Sequence, residues 1–199
     1  MKKSILFVLF VLSNTLIAQY DFSEEDRVLN QADLDQWIIP ENNIWWSVEK
    51  GTLVGKSDLD LKGSNLWSKE DLKDFVIKID FKMGEGTVDS GIFIRGESSN
   101  NPQIQIGISG SLKRDMTASP YVPSKGYPKE ALVSSILKPK KWNALEVKAI
   151  KNNYKVWLNG AFVMDYTLEN ANLSGPVGFQ VHRGKEMKIS IKNIFLKKL

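Results

Sequence analysis

The stretch Phe75-Val76-Ile77-Lys78-Ile79-Asp80-Phe81-Lys82-Met83 alternates apolar with charged side chains. Successive side chains of a β-strand point to opposite faces, so Phe75, Ile77, Ile79, Phe81 and Met83 share one face while Lys78, Asp80 and Lys82 take the other. That is the pattern of a strand with one side on a core and one in water. Working outward, comparable runs occupy Ser90 to Arg95, Gln103 to Ile108, Trp142 to Ile150, Tyr154 to Leu158, Val177 to His182 and Met187 to Leu196, separated by Gly, Asn and Pro. Turn chemistry marks hairpins at Glu49-Lys50-Gly51, at Lys151-Asn152-Asn153 and at Asn159-Gly160, the last a dipeptide that accepts the positive φ angles of a tight turn. No stretch of about a dozen residues carries a sustained helical apolar period between caps, so only short helical turns are expected, at Asp33 to Gln36 and Ser68 to Leu72. Strands without crossover helices predict an all-β antiparallel two-sheet sandwich or barrel.

The N-terminus has a different organisation. Lys2 and Lys3 precede an apolar run from Ile5 to Leu12, and Leu16-Ile17-Ala18 ends in a small residue before Gln19. This is the layout of a cleavable secretory signal peptide over residues 1–18, too short for the roughly 20 residues that span a bilayer. The expectation is an exported protein, secreted or periplasmic, with one domain over residues 19–199 and no membrane attachment after cleavage. A lipid-anchored product would need a cysteine at the cleavage point, and the chain has none. Lack of cysteine also removes disulfides, thiol nucleophiles and cysteine metal sites, so the core must hold the fold alone. A chain of about 180 residues can bury enough surface for that. Loss of Lys2 and Lys3 leaves 25 basic against 23 acidic residues, a net +2 in place of +4. So small and dispersed an excess argues against nucleic acid as a partner. No glycine loop follows a strand and opens a helix, which argues against nucleotides. The segment Gly110 to Lys141, with Pro120, Pro123, Pro128 and Pro139, breaks the strand rhythm and reads as a long loop holding at most one short strand.

The order of several motifs resembles the 3-keto-disaccharide hydrolase domain family. The motifs are Leu29-Asn30, Asp33-Leu34-Asp35-Gln36-Trp37, Trp46 to Val54, Leu66-Trp67-Ser68, Asp74-Phe75, Asp89-Ser90-Gly91-Ile92-Phe93-Ile94-Arg95, Lys141-Trp142-Asn143, Trp157-Leu158-Asn159-Gly160, Gly178-Phe179-Gln180-Val181-His182 and Ile191-Lys192-Asn193-Ile194. The resemblance implies a concanavalin A-like jelly roll and action on glycosides oxidised to a ketone at sugar carbon 3. A ketone there acidifies the hydrogen on carbon 2. A base can remove it while a donor stabilises the enolate, and the carbon 1 substituent leaves by elimination. Water then adds across the double bond, giving net hydrolysis.

Such a site needs a base, a partner for the ketone oxygen and a proton source. His182 is the single histidine and suits proton abstraction near neutral pH. Asp89 is an alternative base. Arg95 shares strand parity with Phe93 and is expected to clamp sugar oxygens. Gln103 and Gln105 fall on one face of a strand, and with Gln180 offer amide donors and acceptors to hydroxyls. Tyr121 and Tyr127 in the long loop, and less so Trp45 and Trp46, are candidates to stack on a sugar ring. Trp142 and Trp157 read as core residues. The chain departs from the family pattern where Gln103 and Ile108 replace acidic residues and Asp89 replaces an asparagine. These departures keep a second reading open, a non-catalytic carbohydrate-binding module, and behind it an adhesion module on the same scaffold. No cofactor is expected; one histidine and no cysteine do not build a zinc site, while an oxygen-rich calcium site is left open.

Overall fold

The computed structural model describes residues 20–28 and 34–199. Residues 1–18, where the signal peptide is read, lie outside them, as do Leu29-Asn30 and Asp33. After a 3₁₀ turn at Glu24–Asp26, thirteen strands follow: β1 Trp37–Ile38, β2 Trp46–Glu49, β3 Thr52–Lys56, β4 Ser64–Ser68, β5 Phe75–Gly86, β6 Asp89–Phe93, β7 Gln103–Gly107, β8 Pro120–Tyr121, β9 Asn143–Ile150, β10 Asn153–Leu158, β11 Ala161–Thr167, β12 Gly178–Val181 and β13 Met187–Lys198. They form two antiparallel sheets, one of order β1-β4-β12-β6-β7-β8, the other β11-β10-β9-β5-β13-β3-β2. This is the all-β antiparallel sandwich that the alternation predicts, in the concanavalin A-like jelly-roll form that the resemblance implies.

The core lies between the sheets. Phe75, Ile77, Ile79 and Phe81 of β5 are fully buried, opposite Leu66, Ile92, Ile104, Ile106 and Phe179 of the other sheet. The pleat therefore sends Lys78, Asp80 and Lys82 outward, as read from the sequence. Val76 breaks the alternation by being buried as well. Its cross-strand neighbours are Lys148 and Lys197, and these hold the N-terminal segment: Lys148 lies over the Tyr20 ring and Lys197 donates to the Asp21 carbonyl. The hairpins turn where expected, with positive φ at Lys50 and Gly51, at Lys151, and at Asn159 and Gly160.

The long loop holds one short strand, β8, and Met116 to Pro120 is buried along the edge of β7, where Ala118 N–H donates to the Gln105 carbonyl and Gln105 N–H to the Ser119 carbonyl. Two expectations need correction. Ser68 to Leu72 is not helical, because Ser68 ends β4 and bonds to Val177 on the neighbouring chain segment. Trp142 is not in the core; it stands on the outward face of the seven-stranded sheet with the ammonium groups of Lys82 and Lys192 over its ring. Trp157 is buried, but on that same outward face, against Phe162.

Candidate functional site

The pleat that sends Ile92 and Ile104 into the core sends Asp89, Gly91 and Phe93 of β6 and Gln103 and Gln105 of β7 to the outward face of the six-stranded sheet. Gln180 of β12 and His182 just beyond it face the same way, since Phe179 and Val181 are buried inward. The buried segment of the long loop then brings β8 alongside β7, pairing Tyr121 with Gln103. Together they line a cleft of about 600 Å³.

At one end, His182 and Asp89 approach each other. His182 Nδ1 is 2.6 Å from the carbonyl oxygen of Arg183, and His182 Nε2 is 3.9 Å from Asp89 Oδ2. A carbonyl oxygen only accepts, so in the neutral ring Nδ1 carries the hydrogen and Nε2 keeps its lone pair toward the cleft. The imidazole side chain is 39% exposed and the Asp89 side chain 6%. Asp89 is held by Gln105, whose Nε2 donates to Oδ1 at 2.8 Å. Gln103 Nε2 donates to Gln180 Oε1 at 2.9 Å, tying β7 to β12 through side chains. This pairing crosses β6 over Gly91, where a Cβ would come within 2.7 Å of Gln103 Cγ; only glycine leaves that path open.

Tyr121 and Tyr127 form the opposite wall, with ring centroids 5.2 Å apart. Burial pushes the Tyr127 phenol up to about 12, with the Asp89 charge adding and a hydrogen bond with Ser109 opposing. Tyr127 therefore remains a neutral donor across the ordinary pH range.

Seven of the ten residues singled out from sequence thus share this cleft: Asp89, Gln103, Gln105, Tyr121, Tyr127, Gln180 and His182. Arg95 does not, which corrects its expected position. β6 ends at Phe93, and Arg95 adopts a left-handed backbone at φ 62°, so strand parity no longer governs its direction. Its guanidinium is fully buried and donates to the carbonyls of Lys73, Lys151 and Asn172 and to Asp74. Trp45 and Trp46 also lie elsewhere; Trp45 Nε1 donates to Asp58 and Trp46 Nε1 to Ser64.

Sequence reasoning missed Lys185, Lys113 and Ser109, which line the cleft from the β12–β13 turn and the loop after β7. Lys185 Nζ lies 3.9 Å from where a Cβ on Gly110 would project, and Asp89 Oδ2 lies 2.9 Å from the same point. The available signal was position, since both turns directly follow strands, which end at Val181 and Gly107. Among the described residues no group of three or more His, Asp and Glu side chains converges as a metal site.

The sequence from residue 25 to 197 matches the model of the 3-keto-alpha-glucoside-1,2-lyase-like domain. No curated protein matches the chain by sequence. Among solved structures, it superposes on a "putative glycosyl hydrolase" from Parabacteroides distasonis ATCC 8503 with a TM-score of 0.68 at 19% identity, covering 90% of this chain and 98% of that one. It superposes on the carbohydrate-binding module CBM66 from Bacillus subtilis with a TM-score of 0.63 at 15% identity, covering 82% and 96%. A basic winged bean lectin crystallised with Tn-antigen gives 0.60 at 12% identity, covering 84% and 95%. At these identities the likeness is one of fold.

Proposed function

The chain belongs to the 3-keto-alpha-glucoside-1,2-lyase-like domain family, and from that premise we propose that it is an exported enzyme which cleaves 3-keto-glycosides by elimination followed by hydration. The observation that carries this reading is the orientation of His182. With Nδ1 pinned as a donor to the Arg183 carbonyl, Nε2 presents a free lone pair beside a buried carboxylate. When Nε2 takes the proton from carbon 2, the imidazolium forms next to Asp89, which stabilises it, and Gln105 holds that carboxylate in place.

Electron flow then follows from the substrate. The carbon 2–hydrogen bond pair moves onto the ketone oxygen as an enolate, for which the neutral Tyr127 phenol is the hydrogen-bond donor. Collapse of the enolate restores the carbon 3 ketone, forms the carbon 1–carbon 2 double bond and expels the glycosidic oxygen. That oxygen takes a proton, for which the Lys185 ammonium is the acid at this end of the cleft. Water added at carbon 1, with a proton returned to carbon 2, completes net hydrolysis. Gln103 and Gln180 hold hydroxyls of the oxidised ring.

The test is incubation with a 3-keto-disaccharide in deuterated water, with and without divalent ions. Release of free sugar carrying deuterium at carbon 2, lost in His182→Ala, is expected. Unchanged substrate under every condition overturns the reading.

A second reading is favoured by one observation: Gln103 and Gln180 satisfy each other as neutral amides where the family pattern places a carboxylate. The chain would then bind saccharides without turnover, and His182→Ala would leave affinity unchanged.

A further inference from the structure

Beyond the cleft, the outward face of the six-stranded sheet continues across β12 to β4. Trp67 of β4 points outward, because its neighbours Leu66 and Ser68 are buried inward while Trp67 is part-exposed. The indole lies flat across β12. A Cβ at Gly178, its register partner, would come within 2.4 Å of indole Cε3 and 2.7 Å of Cζ3, so a side chain at that position would lift the ring. On the far side of Gly178 the ring meets Phe93, centroid to centroid 5.0 Å. Asn65, two residues before Trp67, donates from Nδ2 to Glu97 Oε2 at 3.0 Å. An aromatic floor with an amide and a carboxylate at its edge has the chemistry that recognises a sugar: a ring face for the C–H groups, acceptors and donors for the hydroxyls.

Two residues of this platform, Phe93 and Glu97, also line the cleft that holds His182 and Asp89. Along β12 the outward positions are Gly178, Gln180 and His182, each step spanning roughly 6.6 Å at about 3.3 Å per residue. A saccharide laid along this strand places one ring between His182 and Gln180 and the next over Trp67. We propose that Trp67, with Asn65 and Glu97, forms a second saccharide subsite that takes the aglycone ring. The identity of that ring as an aglycone rests on the cleavage reading above; the subsite itself does not.

The experiment compares binding of a glucose disaccharide and of methyl glucoside, and turnover of their 3-keto forms, in the wild-type chain, Trp67→Leu and Trp67→Phe. Trp67→Leu is expected to weaken disaccharide binding about tenfold and leave methyl glucoside unchanged, with Trp67→Phe between the two. In turnover the same loss falls on KM for the disaccharide and not on kcat. Saturation-transfer NMR on the wild-type chain gives a readout independent of any variant: irradiated aromatic protons should mark the second ring as well as the first. Equal affinity for both ligands, equal loss of both in Trp67→Leu, or saturation confined to one ring overturns the subsite. Trp67-dependent preference for the disaccharide with no turnover of either keto compound sustains the subsite and removes the cleavage reading.

Discussion

Replacing Arg95 by methionine separates stability from chemistry. The arginine side chain is wholly inaccessible, and it donates from Nε and both Nη atoms to the carbonyls of Lys73, Lys151 and Asn172. Methionine keeps the aliphatic bulk but strips those carbonyls of their donor. Hydrogen bonds from a charged group contribute about 1.5–3 kcal/mol each, and removing one partner of a buried set costs about 3–5 kcal/mol in total. Asp74 is 34% exposed and can turn to water, which keeps the loss near ~4 kcal/mol. The left-handed backbone at residue 95 stays in the variant, so that strain adds nothing to the difference. With a urea slope of about 2 kcal/mol/M, the unfolding midpoint falls by about 2 M. Urea titration followed by tryptophan fluorescence measures this, and saccharide binding at low temperature is expected to survive in the folded fraction. A variant of wild-type stability that has lost binding or turnover would refute the reasoning and return Arg95 to the site.

The other expected outcomes are smaller. Glu146 lies on the outward face between Trp157 and Lys78, and burial raises its carboxyl above 4.5, against the opposing pull of Lys78 and Lys148. A raised folded pKa stabilises below the unfolded value and is lost as pH rises through the folded one, so Glu146→Gln should raise the melting temperature at pH 7, on the order of 2 °C, and not at pH 3. Tyr127→Phe removes a donor that stays protonated up to about 12, so saccharide affinity should fall about three- to tenfold with no Tyr127 step between pH 7 and about 10 in the wild type, read by calorimetric titration. Gly91→Ala would set a Cβ 2.6 Å from the Ile104 carbonyl oxygen and 2.7 Å from Gln103 Cγ; a loss of about 1–3 kcal/mol in stability is expected, together with weaker saccharide binding as the Gln103–Gln180 pair is displaced.

The strands were legible because their signal is local. Alternation over Phe75 to Met83 needs only the pleat and one buried face, and Asn159-Gly160 needs only its own backbone angles. Parity also put Gln103 with Gln105 on one face, and the motif order supplied His182. Local reasoning failed where a distant contact decides. Arg95 followed parity on paper, but its strand ends two residues earlier and carbonyls up to 77 positions away take its guanidinium. Val76 is buried on the outward face, where its neighbours Lys148 and Lys197 hold the N-terminal segment, and Trp142 lies outside the core under lysines from β5 and β13.

By itself, then, the sequence determined a two-sheet antiparallel sandwich, its family and most of the side chains facing one cleft, since each of those follows from periodicity or from ordered short motifs. Only the tertiary structure decided which of them meet. That Nε2 and not Nδ1 of His182 faces Asp89 depends on one carbonyl, that of Arg183. That Lys185 shares the cleft with Asp89, and that Trp67 lies across Gly178, depends on the register of strands far apart in the chain. Register is set by burying a whole sheet face at once, and no short window of residues contains that information.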